Sequence, residues 1–235
     1  PRLRTAGMAT NDLTNASVLV LGGSGALGSR IARQLAERGA RLTLAGRSPE
    51  RLDTVATTIG GCATTIADLA IADDATVAVE AAIEAHGRID GIVNAAGVVA
   101  FGPLASTSPS VIDEVIAVDL TGPLHVYRQA VPRMDGGFIV NITGIVATMP
   151  TAGMATYSAA KAGLAAATVA LARELRREGI TVIDARPPHT ETGLVTRSIA
   201  GDAPKLPTGL DPDRVTARIV AGIESGERVL EPDSF

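Results

Sequence analysis

VLVLGGSGALG, residues 18–28, decides how the rest of the chain is read. Val18–Leu21 is an unbroken apolar run, as expected of a strand buried on both faces of a sheet. A glycine turn follows, then a segment that reads as helix over about 27–38. Gly23, Gly25 and Gly28 satisfy G-x-G-x-x-G. Residues without a Cβ let backbone amides approach a pyrophosphate, and a helix N-terminus favours anions. The motif is weak in isolation, and its position between a first strand and a first helix strengthens it. Gly22, Ser24, Gly25, Ala26, Leu27 and Gly28 are the expected contacts to a dinucleotide.

The alternation continues outward. Arg41–Ala45, Ala63–Ile66, Gly91–Val93, Phe138–Ile142, Thr181–Ala185 and Arg228–Leu230 read as further strands. Helices are expected at about 49–58, 73–86, 109–131, 155–178 and 212–224. Strands alternating with helices imply an α/β fold, a doubly wound parallel sheet with helices on both faces. Residues 16–235 read as a single domain behind an N-terminal extension, 1–15. Met8 is a candidate natural start, which would make Pro1–Gly7 an upstream addition. The Pro/Gly-rich stretch at 187–212 is too short for a domain boundary and suits a mobile loop over a site.

Composition narrows the function classes. Hydrophobic residues make up 46 % and charged residues 20 %, which argues for a packed core and against disorder. Aromatics are 2 % with no Trp, so nucleic-acid binding by base stacking is not expected. A net charge of −4 also disfavours nucleic acid and anionic membranes. No apolar run approaches the roughly 18 residues a membrane helix needs. The polar start lacks the apolar stretch of a signal peptide. The single cysteine, Cys62, has no internal partner, which fits a reducing, cytoplasmic compartment. No metal site is expected.

The second strand ends LTLAGRSPERL. A carboxylate at that point usually holds a free ribose 2′-hydroxyl, but Ala45 and Gly46 offer none. Arg47 follows, and a guanidinium suits a 2′-phosphate, so NADP(H) is preferred over NAD(H). Arg51 is read as a solvent-facing residue that could assist. Asp68 and Leu69 follow the third strand, where Asp68 would meet adenine or cap the next helix. Tyr157 and Lys161 stand at i and i+4 of an Ala-rich helix and share a face. A nearby ammonium favours the phenolate, so the pair suits proton transfer.

In order along the chain come the glycine turn, Asp68, GRIDGIVNAAG (87–97), DLTG (119–122), NIT (141–143), YSAAK (157–161) and ARPPHTET (185–192). This set resembles the short-chain dehydrogenase/reductase family over about Ala16 to Leu230. The resemblance implies a Rossmann-type seven-stranded parallel sheet of order 3-2-1-4-5-6-7. It implies hydride transfer between a nicotinamide and a small carbonyl or alcohol substrate. Tyr157 would exchange the proton with the substrate oxygen, and Lys161 would tune it and grip the ribose. Asn94, Ala95, Ala96 and Gly97 would pack beside the cofactor, with Pro187, Thr190 and Thr192 at its nicotinamide end. The chain would act as a homodimer or homotetramer.

Two positions depart from the family pattern. A serine normally stands thirteen residues before the tyrosine, and Gly144 is there. The neighbouring Thr143, an ordered water or the Gly144 amide would have to replace it. The family asparagine is Asp119, which accepts hydrogen bonds and donates none unless protonated. These departures leave a second reading, a dinucleotide-binding sensor or scaffold with weak or no turnover. An isomerase or lyase on the same scaffold is a third.

Overall fold

The structure is a computed structural model that describes residues 11–235. Met8 and most of the expected extension lie outside the described residues. The strands are β1 Ser17–Leu21, β2 Arg41–Gly46, β3 Ala63–Ile66, β4 Gly91–Asn94, β5 Gly137–Ile142, β6 Ile180–Ala185 and β7 Val229–Leu230. The helices are α1 Ala26–Glu37, α2 Pro49–Thr58, α3 Asp74–His86, α4 Pro109–Ile116, α5 Gly122–Ala130, α6 Ala155–Glu174 and α7 Pro212–Ser225. All strand pairs are parallel, in the order β3-β2-β1-β4-β5-β6-β7.

Successive residues of β1 serve opposite faces, as the two-residue period of a strand requires. Val18 and Val20 share a core with Ile31 and Leu35 of α1 and Val215 and Ile219 of α7. Leu19 and Leu21 share the other core with Ala78 and Val79 of α3 and Val126 of α5. The strand order reverses between β1 and β4, which opens a crevice at the C-terminal edge of the sheet. The glycine turn after β1 sits at that edge.

Two elements differ from their expected form. The single helix expected over 109–131 is interrupted at Ala117–Thr121 by a π-helical turn. Asp119 lies in this turn, fully buried, and its Oδ1 accepts the Val98 N–H at 2.8 Å. That tertiary bond goes with the local departure from α geometry, a common position for π-bulges. The loop after β6 is also stitched down rather than free. Phe101 N–H donates to Ala200 O at 2.9 Å, Ile199 N–H to Val99 O at 2.9 Å, and Leu210 N–H to His189 O at 2.8 Å.

Candidate active site

A groove of about 520 Å³ runs along the C-terminal edge of the sheet, within the size of small-molecule sites. Its floor is the glycine turn, with Gly22, Ser24, Gly25, Ala26 and Leu27 on its wall. Gly28 does not face the groove, but it makes the turn possible. A Cβ there would lie 2.2 Å from Gly22 O, so only glycine lets α1 start this close to β1.

At one end, Arg47, Ser48 and Arg51 line the groove. Arg51 was expected to face solvent. It is exposed, and its guanidinium also donates to Ser24 O at 2.8 Å, across the mouth of the turn. Ser48 caps α2, its Oγ accepting the Arg51 N–H at 3.3 Å. Asp68 and Leu69 form the facing wall. Asp68 Oδ1 accepts the Ala70 N–H at 3.0 Å in the turn ahead of α3, whose N-cap is Asp73, so Asp68 does not cap that helix and only the adenine role stays open to it.

Toward the other end, Ala95, Ala96, Gly97, Tyr157, Lys161 and Thr192 line the same groove. Lys161 Nζ lies 5.7 Å from the Tyr157 ring centroid, within cation–π range. The amine is buried and donates to Ile142 O at 3.3 Å, with Asp119 Oδ2 at 3.7 Å. Burial pushes the Tyr157 phenol above its ordinary range, and the Asp119 carboxylate adds to the rise. The expected lowering by Lys161 does not win here: burial is the larger effect on the phenol, and the Asp119 charge works in the same direction. Asp119 is itself raised to about 6 by burial, against the opposing pull of Lys161 and of the Val98 N–H.

Residues 16–202 match the short chain dehydrogenase family. The chain belongs to that family. An oxidoreductase of Staphylococcus epidermidis is 30% identical over 192 residues, covering 80% of this chain and 84% of the relative. A short chain dehydrogenase from Burkholderia cenocepacia, crystallised in complex with NADP, has a TM-score of 0.83 at 30% identity. That match covers 95% of this chain and 98% of the other. A dehydrogenase/reductase from Sinorhizobium meliloti has a TM-score of 0.81 at 30% identity, covering 92% of each chain.

Several residues expected in this short-chain dehydrogenase site lie elsewhere. Thr143 is the plainest correction. It is fully buried, and its hydroxyl donates to Asp184 and Ala185 O, so it is spent on β6. Asp184 is in turn held by Arg186 at 2.8 Å, which leaves no reason for the threonine to turn. The Gly144 amide is no substitute either, since it donates to Ala185 O at 3.2 Å. Asn94 is buried behind the groove, and its Nδ2 donates to Asn141 Oδ1 at 3.2 Å. Pro187 O accepts the Ile145 N–H, and the Thr190 hydroxyl donates to Pro188 O, so both shape the loop. Asp119 sits behind Lys161 rather than on the groove wall.

One further lining residue, Val118, escaped sequence reading, and three others come from the loop over the site. Val118, Leu194, Arg197 and Ile199 all reach the groove. The last three belong to the loop already expected to cover a site, and only its folding back onto residues 99–101 shows which side chains point inward. Among the described residues no helix is long and apolar enough to cross a membrane, and no cluster of metal-ligating side chains occurs.

Proposed function

We propose that this short-chain dehydrogenase is an NADP(H)-dependent oxidoreductase acting on a small carbonyl or alcohol compound. The observation that carries the reading is one continuous groove lined by the glycine turn, by Arg47 and Arg51, and by Tyr157 and Lys161. The residues fit the cofactor. The turn amides and the start of α1 would take the pyrophosphate, and the two guanidiniums would take a 2′-phosphate. Asp68 would accept from the adenine end, and Thr192 and Lys161 would hold the nicotinamide end. The bound nicotinamide supplies or accepts a hydride. Tyr157 exchanges the proton with the substrate oxygen. Leu194 and Ile199 give the substrate end an apolar wall, consistent with a partly hydrophobic ligand.

Self-association into a dimer or tetramer through α5 and α6 belongs to the same reading, supported by the exposed Val169 on α6. The cytoplasm is its proposed location. The raised Tyr157 phenol and the lack of a hydroxyl at Gly144 favour one second reading, a dinucleotide-binding sensor. NADPH binding without carbonyl-dependent NADPH oxidation, across a broad ketone and aldehyde panel, would decide for the sensor.

Cofactor choice has its own test. Losing charge-assisted hydrogen bonds of about 1.5–3 kcal/mol corresponds to roughly ten- to hundredfold in affinity. Arg47→Ala should weaken NADPH binding by that factor and leave NADH binding nearly unchanged in titration calorimetry. Equal losses for both cofactors would remove the 2′-phosphate from the account.

A further inference from the structure

The buried carboxylate behind Lys161 has no counterpart in an asparagine at that position. The π-helical turn brings Asp119 under the groove wall, and the Val98 N–H fixes its Oδ1 at 2.8 Å. Its Oδ2 is buried and has no hydrogen-bond partner. The nearest cation is Lys161, 3.7 Å from that free oxygen. Gly97 closes over the pair: a Cβ there would come within 3.3 Å of Lys161 Nζ and 3.4 Å of Asp119 Oδ1. Of the neighbouring elements, α4 carries Asp113 and Glu114, α5 carries His125 and Arg128, and α6 carries Arg173 and Glu174 besides Lys161. Among the described residues, Lys161 alone makes an ion pair with Asp119.

We infer that Asp119 is a positioning residue that sets the working pH of the site through Lys161. When ionised, it holds the ammonium away from Tyr157 and opposes the phenolate. When protonated, it frees Lys161 to act on the phenol. The inference rests on the reading of Tyr157 as the proton-transfer group.

The direction follows from charge. Burial lifts the Asp119 carboxyl to about 6, inside the range a cell or an assay spans. As pH rises through that value the carboxylate forms, and Tyr157 holds its proton more tightly. Donation of that proton to a carbonyl is then available across neutral pH. Alcohol oxidation needs the phenolate and is displaced to higher pH. An asparagine keeps an oxygen for the Val98 N–H and carries no charge, so it removes the opposition without unmaking the turn.

The chain has two tyrosines, which makes the test direct. Burial raises both phenols, so Tyr157 is read as the difference between the ultraviolet phenolate titrations of the cofactor-free protein and of Tyr157→Phe, in which Tyr127 remains. Asp119→Asn should move that titration down by about one pH unit or more. Coincident titrations would overturn the proposal. A second measurement needs no variant at Asp119. The carbon-13 NMR signal of the Tyr157 ring in the wild-type protein should inflect near pH 6 as Asp119 ionises, and a flat signal there would contradict the coupling. Both readouts work on a protein with no turnover, so a failure of the hydride-transfer reading and a failure of this one are told apart.

Discussion

At Gly144 the backbone holds φ 73° and ψ 165°, a region essentially reserved for glycine. Space is not the obstacle, because a Cβ there would meet only Pro187 O, at 3.7 Å. The obstacle is conformational, and strain of this kind costs about 1–3 kcal/mol. Gly144→Ser should therefore lower the melting temperature without raising turnover, and Gly144→Ala should lower it by a similar amount. A serine variant with unchanged stability and a large gain in rate would show that the vacant hydroxyl position is usable as it stands. Counting thirteen residues back from Tyr157 located the missing hydroxyl in the sequence. The backbone conformation that goes with it was not legible, because it depends on the bonds that Thr143, Gly144 and Ile145 make to Ala185 and Pro187. Thr143, a stand-in by position, is unavailable because its hydroxyl is taken up by Asp184 and Ala185 O.

Among the elements, the glycine turn was the most legible, since its spacing matches its proposed purpose, a cradle for a pyrophosphate. Gly28 is the position where that purpose is most exposed to test. Alanine there would set a Cβ 2.2 Å from Gly22 O, against backbone that cannot give without moving the turn. Gly28→Ala should cost at least about tenfold in NADPH affinity, or 1.4 kcal/mol. A variant that binds NADPH like the wild type would mean that the turn does not carry the pyrophosphate. Strands and helices elsewhere followed from apolar runs and helical spacing, with ends shifted by a few residues; α6 stops at Glu174 rather than near 178. The break in 109–131 did not follow. Nothing in AVDLTG by itself demands a π-helical turn. It accompanies a buried carboxylate seeking the Val98 amide, a partner twenty-one residues away in the chain.

At the scale of the whole molecule, the alternation of strands and helices was enough to expect a doubly wound sheet. The reversal between β1 and β4 then opens the crevice in which the groove lies. The chain ends that follow β1, β2, β4 and β5 meet at one edge, so residues far apart in sequence share a groove. Sequence reading could not show how the loop after β6 folds back over that edge, because its bonds run to Val99 and Phe101. The account as a whole asks one phenol to move a proton in this groove. General acid–base groups contribute typically 10²–10⁴-fold. The most direct measurement is carbonyl-dependent NADPH oxidation by Tyr157→Phe beside wild type, with NADPH affinity determined on the same samples. The account predicts a fall in turnover of about a hundredfold or more with cofactor binding largely kept. Turnover equal to wild type in the phenylalanine variant would contradict it.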